Sequence, residues 1–385
     1  MFEEDTEVLD EVVVVGYGTQ KKVNLTGSVS QVTEEAFQSR PVQNVTQALQ
    51  GVVPGMNVSV GDNGGMLNST PSVSIRGAGT IGSGSTASPL VLIDGVEGNM
   101  NMLNPQDIES ISVLKDAASA SVYGSRAPFG VILITTKKGK EGKATVSYSN
   151  NFRWNSPLNQ PETMDSYRFV HYLNDAKTNA GQAPQFSQQV IDNIAARNRG
   201  EIGLVVPITN NGTYSFGEAN ADTDWYKLHY KDWALSQEHS LSVSGGTDKL
   251  NYYVSGNFMD QEGLLRYAND SYYRYTLNGK ISGKINKYIS FSYNTKWFKT
   301  NYDAPSYLTG LFFHEILRRW PNYPAIDPNG YPIQQSQIIH LQDGGRQKED
   351  NNQIMQQLSV VINPLPGWNI HLEGNARIST AFKHT

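Results

Sequence analysis

The second half of the chain alternates apolar and polar residues with the period of two that predicts β-strands. In the first long segment Val146, Tyr148, Phe152 and Trp154 share one parity, and polar side chains such as Arg153 occupy the other. Six later segments alternate in the same way, at residues 241–245, 252–258, 273–281, 289–293, 358–362 and 368–372. Because successive side chains of a strand point to opposite faces, these segments predict about seven antiparallel strands, each with one apolar face.

The connections between these strands alternate between short and long. Tight turns are predicted at residues 247–249, 286–287 and 363–367, and long connections at residues 155–238, 260–271 and 300–352. Short turns at one end and long loops at the other are typical of outer-membrane β-barrels, so we expect the tight turns at one end, the periplasmic one. A soluble β-sandwich also alternates, and the strand pattern alone leaves both folds open.

The first part of the chain mixes short strands and short helices, which predicts a small α+β domain. Strands are expected at residues 28–32, 55–60, 71–76, 90–93, 108–114 and 130–136, and helices at residues 116–123 and after the capping residue Asn44. A polar turn cluster at residues 137–142 separates the two patterns. We therefore expect a flexible segment over residues 1–20, a compact domain over residues 21–142 and a stranded domain over residues 143–385.

Composition removes several classes of protein. A transmembrane helix needs about 20 consecutive apolar residues, and the longest apolar runs here, at residues 12–15 and 131–134, are far shorter. The net charge of -5 comes without a basic block, which argues against a nucleic-acid partner. The absence of cysteine from all 385 residues excludes disulfides and thiolate metal sites.

Motifs that carry chemistry are incomplete. Gly77, Gly79 and Gly82 match the spacing of a dinucleotide fingerprint, but a Ser-rich loop follows where the phosphate-binding helix should begin. His314 starts a zinc-protease pattern that Arg318 breaks. No pair of carboxylates has a spacing that would place it across a glycosidic bond. The sequence therefore predicts no enzyme, no catalytic residue, no cofactor and no metal site.

The β-branched run at residues 12–15 precedes a Gly-Tyr-Gly break at residues 16–18. It suits an ordinary buried strand, and it equally suits an unpaired strand that a partner's sheet edge could bind through main-chain hydrogen bonds. Because no neighbouring segment is predicted to pair with it, we expect it to be exposed and unpaired.

Four ordered sequence blocks resemble the SusC/RagA-type TonB-dependent receptors. They are EVVVVGYGTQKK with LTGSVS at residues 11–30, VSIRG at residues 73–77, PLVLIDGV at residues 89–96, and NPQDIESISVLKD, SVYGSR and GVILITTKKG within residues 104–139. The blocks cover residues 11–139 closely, whereas the remainder is similar to the family's barrel only in its strand pattern.

This resemblance implies an α+β plug domain followed by an antiparallel transmembrane β-barrel, here incomplete with about seven strands of the family's ~22. It implies import of a nutrient, a glycan or a peptide, across the outer membrane of a Gram-negative bacterium. The implied partners are the C-terminal domain of TonB, a SusD-like surface lipoprotein, the cargo and outer-membrane lipid, with no nucleic acid.

The resemblance also assigns site residues. The TonB box, which is the segment that TonB would pull, corresponds to Val12, Val13, Val14, Val15 and Gly16. Plug loops able to face cargo contribute the candidate binding residues Asp62, Asn63, Asn68, Ser83 and Ser85.

Two departures from the family pattern lead to further expectations. Residues 1–11 are acidic and lack the features of a secretory signal, and no N-terminal sandwich domain precedes the plug. Seven strands would also leave two open edges in lipid. We therefore expect a fragment of the full transporter. The alternative, a secreted β-rich binding or adhesion module without transport, would leave the four blocks unexplained.

Overall fold

The computed structural model describes residues 12–15, 18–21, 28–35, 42–59, 66–77, 88–116, 120–158 and 160–385. Its strands are β1 (Val12–Val15), β2 (Gly18–Lys21), β3 (Val29–Thr33), β4 (Met56–Ser59), β5 (Ser72–Ile75), β6 (Leu90–Ile93), β7 (Val96–Glu97), β8 (Ile108–Leu114), β9 (Val131–Thr136), β10 (Gly142–Asn155), β11 (Ala234–Gly246), β12 (Leu250–Glu262), β13 (Ser271–Lys284), β14 (Ile289–Pro305), β15 (Arg346–Ile362) and β16 (Ile370–His384).

The α-helices are α1 (Val45–Leu49), α2 (Ser166–Asn179), α3 (Gln188–Asn198), α4 (Trp225–His229), α5 (Gly310–Arg318) and α6 (Ile338–Asp343). Short 3-10 helices lie at Met100–Met102, Pro105–Asp107, Ser121–Arg126, Phe216–Glu218 and Gln334–Ser336. None of the helices in the described part of the chain has the length and apolar character that a membrane crossing requires.

The plug is built on a five-stranded sheet in the order β3-β8-β9-β6-β7. Strands β6 and β9 run parallel and the other neighbours are antiparallel. Strands β8 and β9 bury five of their seven and five of their six residues, because both faces of the sheet are covered. One face packs on α1 and the β4–β5 hairpin, and the other packs around Leu114, Ala127 and Leu133.

Local sequence signals fix the plug's first helix. The Asn44 side chain accepts a hydrogen bond from the backbone N–H of Gln47 at 2.9 Å, so the predicted N-cap is confirmed. The helix predicted at residues 116–123 is different: residues 117–119 lie outside the described residues, and a 3-10 helix spans Ser121–Arg126. Gly124, with φ 59° and ψ -140°, leaves helical geometry there and ends any regular α-helix.

Residues 142–385 contribute a seven-stranded sheet, the wall, in the order β10-β11-β12-β13-β14-β15-β16. All neighbours are antiparallel and follow chain order, so the three tight turns lie at one end and the long connections at the other, as predicted. No strand in the described residues is shared with the plug sheet.

The wall exposes its apolar face and buries its polar face. Leu277 is 53% exposed and Val254 is 50% exposed, whereas Arg274 and Lys296, on the opposite face, are 1% and 3% exposed. The buried polar set of this inner face includes Ser236, Glu238, Ser240, Ser255, Asn257, Thr276, Asn278, Lys280, Asn294 and Thr300. A soluble β-sandwich does the reverse, because it packs its apolar faces together. This arrangement is the one that a lipid-facing barrel wall requires.

The long connections are more structured and partly shorter than predicted. The connection from residue 156 to residue 233 contains α2, α3 and α4, where only loop was expected. The connection expected at residues 300–352 spans only residues 306–345, since β14 and β15 extend beyond their apolar parts. The β15 extension is polar on both faces, and in the β14 extension the apolar residues Tyr302 and Ala304 lie on the inner face, so neither extension continues the alternation of the wall.

Candidate functional site

A cavity of about 700 Å³ lies between the plug and the long connections of the wall. It is lined by Gln43, Asn44, Gln47, Met66, Leu67, Ser69, Pro71, Ser156, Pro157, Leu158, Gln160, Pro161, Tyr226, Tyr230, Gln261, Leu264, Leu265, Asp270, Leu308 and Phe313. A smaller cavity of about 60 Å³ shares several of these residues and adds Asn68, Asn101, Met259, Tyr272 and Arg274. The volume of the larger cavity is within the range of sites that bind small molecules.

The lining of the larger cavity combines amides with aromatic rings. Gln43, Gln47 and Gln261 offer both donors and acceptors, and Tyr226 and Phe313 offer ring surfaces. Among the described lining residues there is no lysine or arginine, and Asp270 is the one carboxylate. Such a surface suits a polar and largely uncharged ligand with apolar patches, which describes oligosaccharides and short peptides alike.

An aromatic cluster, the loop cluster, supports the outer part of this cavity. Its buried members are Trp225, Leu265, Tyr302, Ala304, Leu308, Phe312, Ile316 and Leu341, and they come from three connections and strand β14. Met66 and Leu67 of the plug pack against the cluster, so the plug and the loops share one apolar contact. The indole N–H of Trp225 donates to the backbone oxygen of Trp320 at 3.1 Å, which joins α4 to the residues after α5.

His229 is buried within the loop cluster. It is 0% exposed, it stacks on Trp225, and its ring edge meets Phe312 and Tyr267. Burial lowers the pKa of His229 to about 4, since a charged imidazolium would lose its hydration in these surroundings. The imidazole is therefore neutral at neutral pH.

Asp94 ties the plug to the wall. Its carboxylate accepts hydrogen bonds from Lys296 Nζ at 2.6 Å and Lys280 Nζ at 3.3 Å, on β14 and β13, and from the backbone N–H of Thr136 at 2.9 Å. Burial would raise the pKa of Asp94, but the two lysine charges outweigh it and hold that pKa well below its usual range. Asp94 has φ 49° and Gly95 has φ 89°, in the tight turn between β6 and β7.

Further polar contacts join the plug to the wall. Arg274, on β13, donates to the backbone oxygen atoms of Gln43 at 3.0 Å and Asn101 at 3.3 Å, and to Glu238 at 3.2 Å. Glu238 also accepts from Arg153 at 2.6 Å. In addition, the Tyr253 hydroxyl donates to Asp107 at 2.8 Å and the Asn104 amide donates to Ser240 at 3.2 Å. The plug thus contacts the inner face through groups that water could also hydrogen-bond.

The predicted cargo residues are only partly within the described structure. Asn68 lines the smaller cavity and donates to Glu349, on β15, at 2.9 Å. Asp62, Asn63, Ser83 and Ser85 lie outside the described residues. Sequence reasoning missed the cavity's amides, tyrosines and Asp270, because they come from segments that only the fold brings together. Asn44 was recognised as a helix cap, but not as a cavity residue.

The segment assigned to the TonB box forms half of a hairpin. Strand β1 pairs antiparallel with β2, with Val12 opposite Lys21 and Val15 opposite Gly18. The expectation of an unpaired segment is therefore wrong, because residues 18–21 supply a local antiparallel partner. Gly16 lies outside the described residues. The hairpin is a sheet of its own, and an isolated two-stranded hairpin is marginally stable at best.

Metal ligation has no candidate in the part of the chain that is described, where no three His, Asp or Glu side chains gather closely enough to hold an ion. The cavity's chemistry is that of hydrogen bonding and ring contact.

Comparison with known proteins gives concordant results. The family model described as TonB-dependent Receptor Plug Domain matches residues 21–131. TonB-dependent receptor P39 of Formosa agariphila is 32% identical over 334 residues, which cover 86% of this chain and 29% of that protein. TonB-dependent receptor SusC of Bacteroides thetaiotaomicron is 31% identical over 309 residues, which cover 77% of this chain and 27% of that protein.

Among solved structures, the RagAB peptide importer in its open-open state superposes with a TM-score of 0.73 at 26% sequence identity. The match covers 96% of this chain and 42% of that chain. The chain thus spans less than a third of these curated relatives and less than half of this solved neighbour.

Proposed function

We propose, since the chain belongs to the SusC/RagA-type TonB-dependent receptors of the outer membrane, that it serves in the import of a nutrient that binds in the cavity between plug and external loops. The observation that carries this proposal is that the plug and the loops both line the cavity. Plug residues such as Gln47 and Leu67 line it together with loop residues such as Tyr226 and Phe313. A ligand there contacts both parts, so its binding and the position of the plug are linked.

The cargo class follows from the lining. Amide side chains can satisfy hydroxyl or peptide groups, and aromatic rings can stack on sugar or side-chain faces. A glycan or a peptide therefore fits the same cavity, and a SusD-like lipoprotein on the external side would close over it. The long connections, which carry α2 to α6, supply the surface for that partner.

Energy would enter at the N-terminal hairpin. The TonB C-terminal domain would bind the segment Val12–Val15 with Gly16 by adding it to a sheet edge. Pairing with TonB would replace the β1–β2 pairing, and because a two-stranded hairpin is marginal, little free energy opposes the exchange. Residues 1–20 then act as the handle, residues 21–142 as the moving plug and residues 143–385 as the wall with its external loops.

The plug can move because many of its contacts with the wall are polar, although Phe298 and Met355 of the wall also pack against its apolar core. Water entering the lumen can hydrogen-bond with Lys280, Lys296 and Arg274 once the plug withdraws, so the polar part of this contact keeps its hydrogen bonds. The exposed apolar face of the wall faces lipid in this account. A secreted binding module would leave that same face in water, where it would promote aggregation.

The test separates binding from uptake in a full-length importer that contains this chain, expressed in cells with and without TonB. Oligosaccharide and peptide mixtures are offered, and both surface-bound and internalised ligand are measured. We expect binding in both strains and uptake only with TonB. Phe313→Ala should weaken binding about tenfold by removing a cavity ring.

Leu311→Ala is the matched control, because Leu311 lies on the same helix and is exposed to solvent. It should leave binding unchanged. Uptake that proceeds equally without TonB would contradict the proposed function, and equal binding by the two variants would remove the cavity from it.

A further inference from the structure

Asp270 is a buried carboxylate at the wall of the cavity. It is 4% exposed and ends the connection between β12 and β13. The connection is held in place by main-chain hydrogen bonds: Gly263 N–H donates to the Asp270 backbone oxygen at 2.7 Å, and Lys231 N–H donates to Leu264 at 2.7 Å. The position of the carboxylate is therefore fixed by the backbone on both sides.

Gly263 makes room for this carboxylate. A Cβ atom at Gly263 would lie 1.8 Å from Asp270 Oδ1 and 1.9 Å from Oδ2, so any side chain there would collide with both oxygens. The carboxylate of Asp270 therefore packs directly against the backbone of Gly263. Gly263, directly after β12, thus leaves the space that the Asp270 carboxylate occupies.

One oxygen of this carboxylate has no partner. Asp270 Oδ1 is buried without a hydrogen bond, and within the described structure no cation forms an ion pair with Asp270. The nearest cations are otherwise placed: Arg346 binds Asp303 at 2.7 Å, and Lys231 acts only at longer range. Backbone N–H groups of Asp270 and Leu265 also act on this carboxylate, but Oδ1 keeps no donor. A buried polar atom without a partner is costly, and a donor supplied by a ligand would remove that cost.

Two tyrosine hydroxyl groups lie within reach of the Asp270 charge. The hydroxyl of Tyr302 on β14 is also buried without a hydrogen-bond partner, and Tyr230 lines the same cavity. The charge of Asp270 acts on both phenols, as it does on Lys231 and Arg346. A carboxylate with adjacent hydroxyl oxygens is a set of acceptors suited to an ammonium group, which has three donors and no acceptor.

We infer that Asp270 binds a protonated primary amine of the cargo. This inference rests on the proposed import function and specifies its substrate class: an oligomer that carries a free amino group. The amine could belong to the N-terminus or a lysine of a peptide, or to an amino sugar. Both sources share the ammonium chemistry, and the cavity's neutral amides would bind the rest of either molecule.

The pKa of Asp270 supports this reading. Burial raises it to about 6, and an incoming ammonium would stabilise the charged carboxylate and lower it again. Binding of an amine should therefore weaken as the pH falls from 7 to 5, when the free carboxylate takes up a proton. Lys231 and Arg346 are the cations whose charges act on this carboxylate.

The experiment uses the purified full-length importer and matched ligand pairs. One arm compares a peptide mixture with free amino groups with the same mixture after acetylation, and the other compares glucosamine oligomers with their N-acetylated forms. In the wild-type protein one arm should show tighter binding of the free amine, and that arm identifies the source. Asp270→Asn should reduce this binding about 10- to 100-fold and leave the acetylated ligand unaffected.

Asp232→Asn is the control, since Asp232 is an exposed carboxylate close to the same connection. It should retain the amine preference. If Asp270→Asn does not fold, a pH series in His229→Phe decides, because that variant lacks the acid response expected of the loop cluster. Loss of amine binding between pH 7 and pH 5, with a flat profile for the acetylated ligand, supports the inference.

Three outcomes would overturn the inference. These are no preference for amines in either arm, a preference that Asp270→Asn retains, and an equal loss of both ligand forms in that variant, which would make Asp270 structural. Binding and uptake without amine preference contradict this inference alone. Absence of all binding contradicts the proposed function as well.

Discussion

The plug and the external loops are held by different kinds of contact. Where the plug meets the wall, Asp94, Arg274 and Asp107 take part in ion pairs and hydrogen bonds with buried polar side chains or backbone oxygens. Where the external loops meet one another, Trp225, Phe312 and Leu341 pack in an apolar cluster. The two regions border the same cavity, yet one combines many polar contacts with the apolar contacts of Phe298 and Met355, and the other is largely aromatic.

This difference teaches which part can move. Polar contacts can be exchanged for water at modest free energy, because each lost hydrogen bond is replaced by another. Apolar contacts cannot be exchanged in this way, since opening them exposes surface at about 25 cal/mol per Å². The loop cluster is therefore expected to keep the external half of the cavity in shape while the plug leaves the wall.

The largest expected effect is on the plug side. Asp94→Asn leaves Lys280 and Lys296 buried without a counter-charge, and breaking such a buried pair costs about 3–5 kcal/mol. We expect faster hydrogen exchange in plug residues 88–97 and no change in residues 306–345. Adding Lys280→Met and Lys296→Met should restore most of the protection, because the unpaired charges are then gone. Equal loss of protection in both regions would show that plug and loops are one cooperative unit.

A smaller effect is expected on the loop side, and it depends on pH. The pKa of His229 is lowered from about 6.5 to about 4, so the folded cluster favours the neutral imidazole. The stabilisation is complete above pH 6.5 and is lost as the pH falls towards 4, by roughly 3 kcal/mol in total. Hydrogen exchange in residues 306–345 should therefore accelerate between pH 7 and pH 5 once corrected for intrinsic rates.

The control for this prediction is His229→Phe, which keeps the aromatic contacts and removes the titration, so that exchange becomes independent of pH in this window. Hydrogen exchange around Asp94 in the plug should not change with pH in this window, since the pKa of Asp94 is lowered and its carboxylate stays charged throughout. An acid response in the plug residues, or one that persists in His229→Phe, would contradict the assignment to His229.

Much of the fold is predictable from the sequence for identifiable reasons. The strands Leu90–Ile93 and Ile108–Leu114 match their predicted bounds, because the first is a continuous apolar run and the second is rich in β-branched residues. Seven wall strands were predicted from alternation alone. Their external ends were missed, since β15 is polar on both faces around Glu349 and the apolar residues of β14 change to the inner face at Tyr302 and Ala304.

The helices of the long connections and the cavity were not predicted from the sequence. The Asp165 side chain accepts from the Arg168 N–H and caps α2, and the Ser187 side chain accepts from the Val190 N–H and caps α3. Both are ordinary helix start signals in the sequence, but they lie in a connection that was predicted only as a loop. The cavity could not be predicted in the same way. Gln47 and Asp270 are far apart in the chain, and only the docking of plug against wall brings them to one surface.

The central claim, that force on the N-terminal segment drives import, is tested most directly by Val14→Pro in the full-length importer. Proline removes a main-chain donor and fixes φ, so it should prevent pairing of Val12–Val15 with a TonB strand. Val14→Ala keeps the main-chain donor and is the control. We predict that Val14→Pro abolishes uptake while cargo binding persists, and that Val14→Ala retains most uptake. Normal uptake with Val14→Pro would contradict the account.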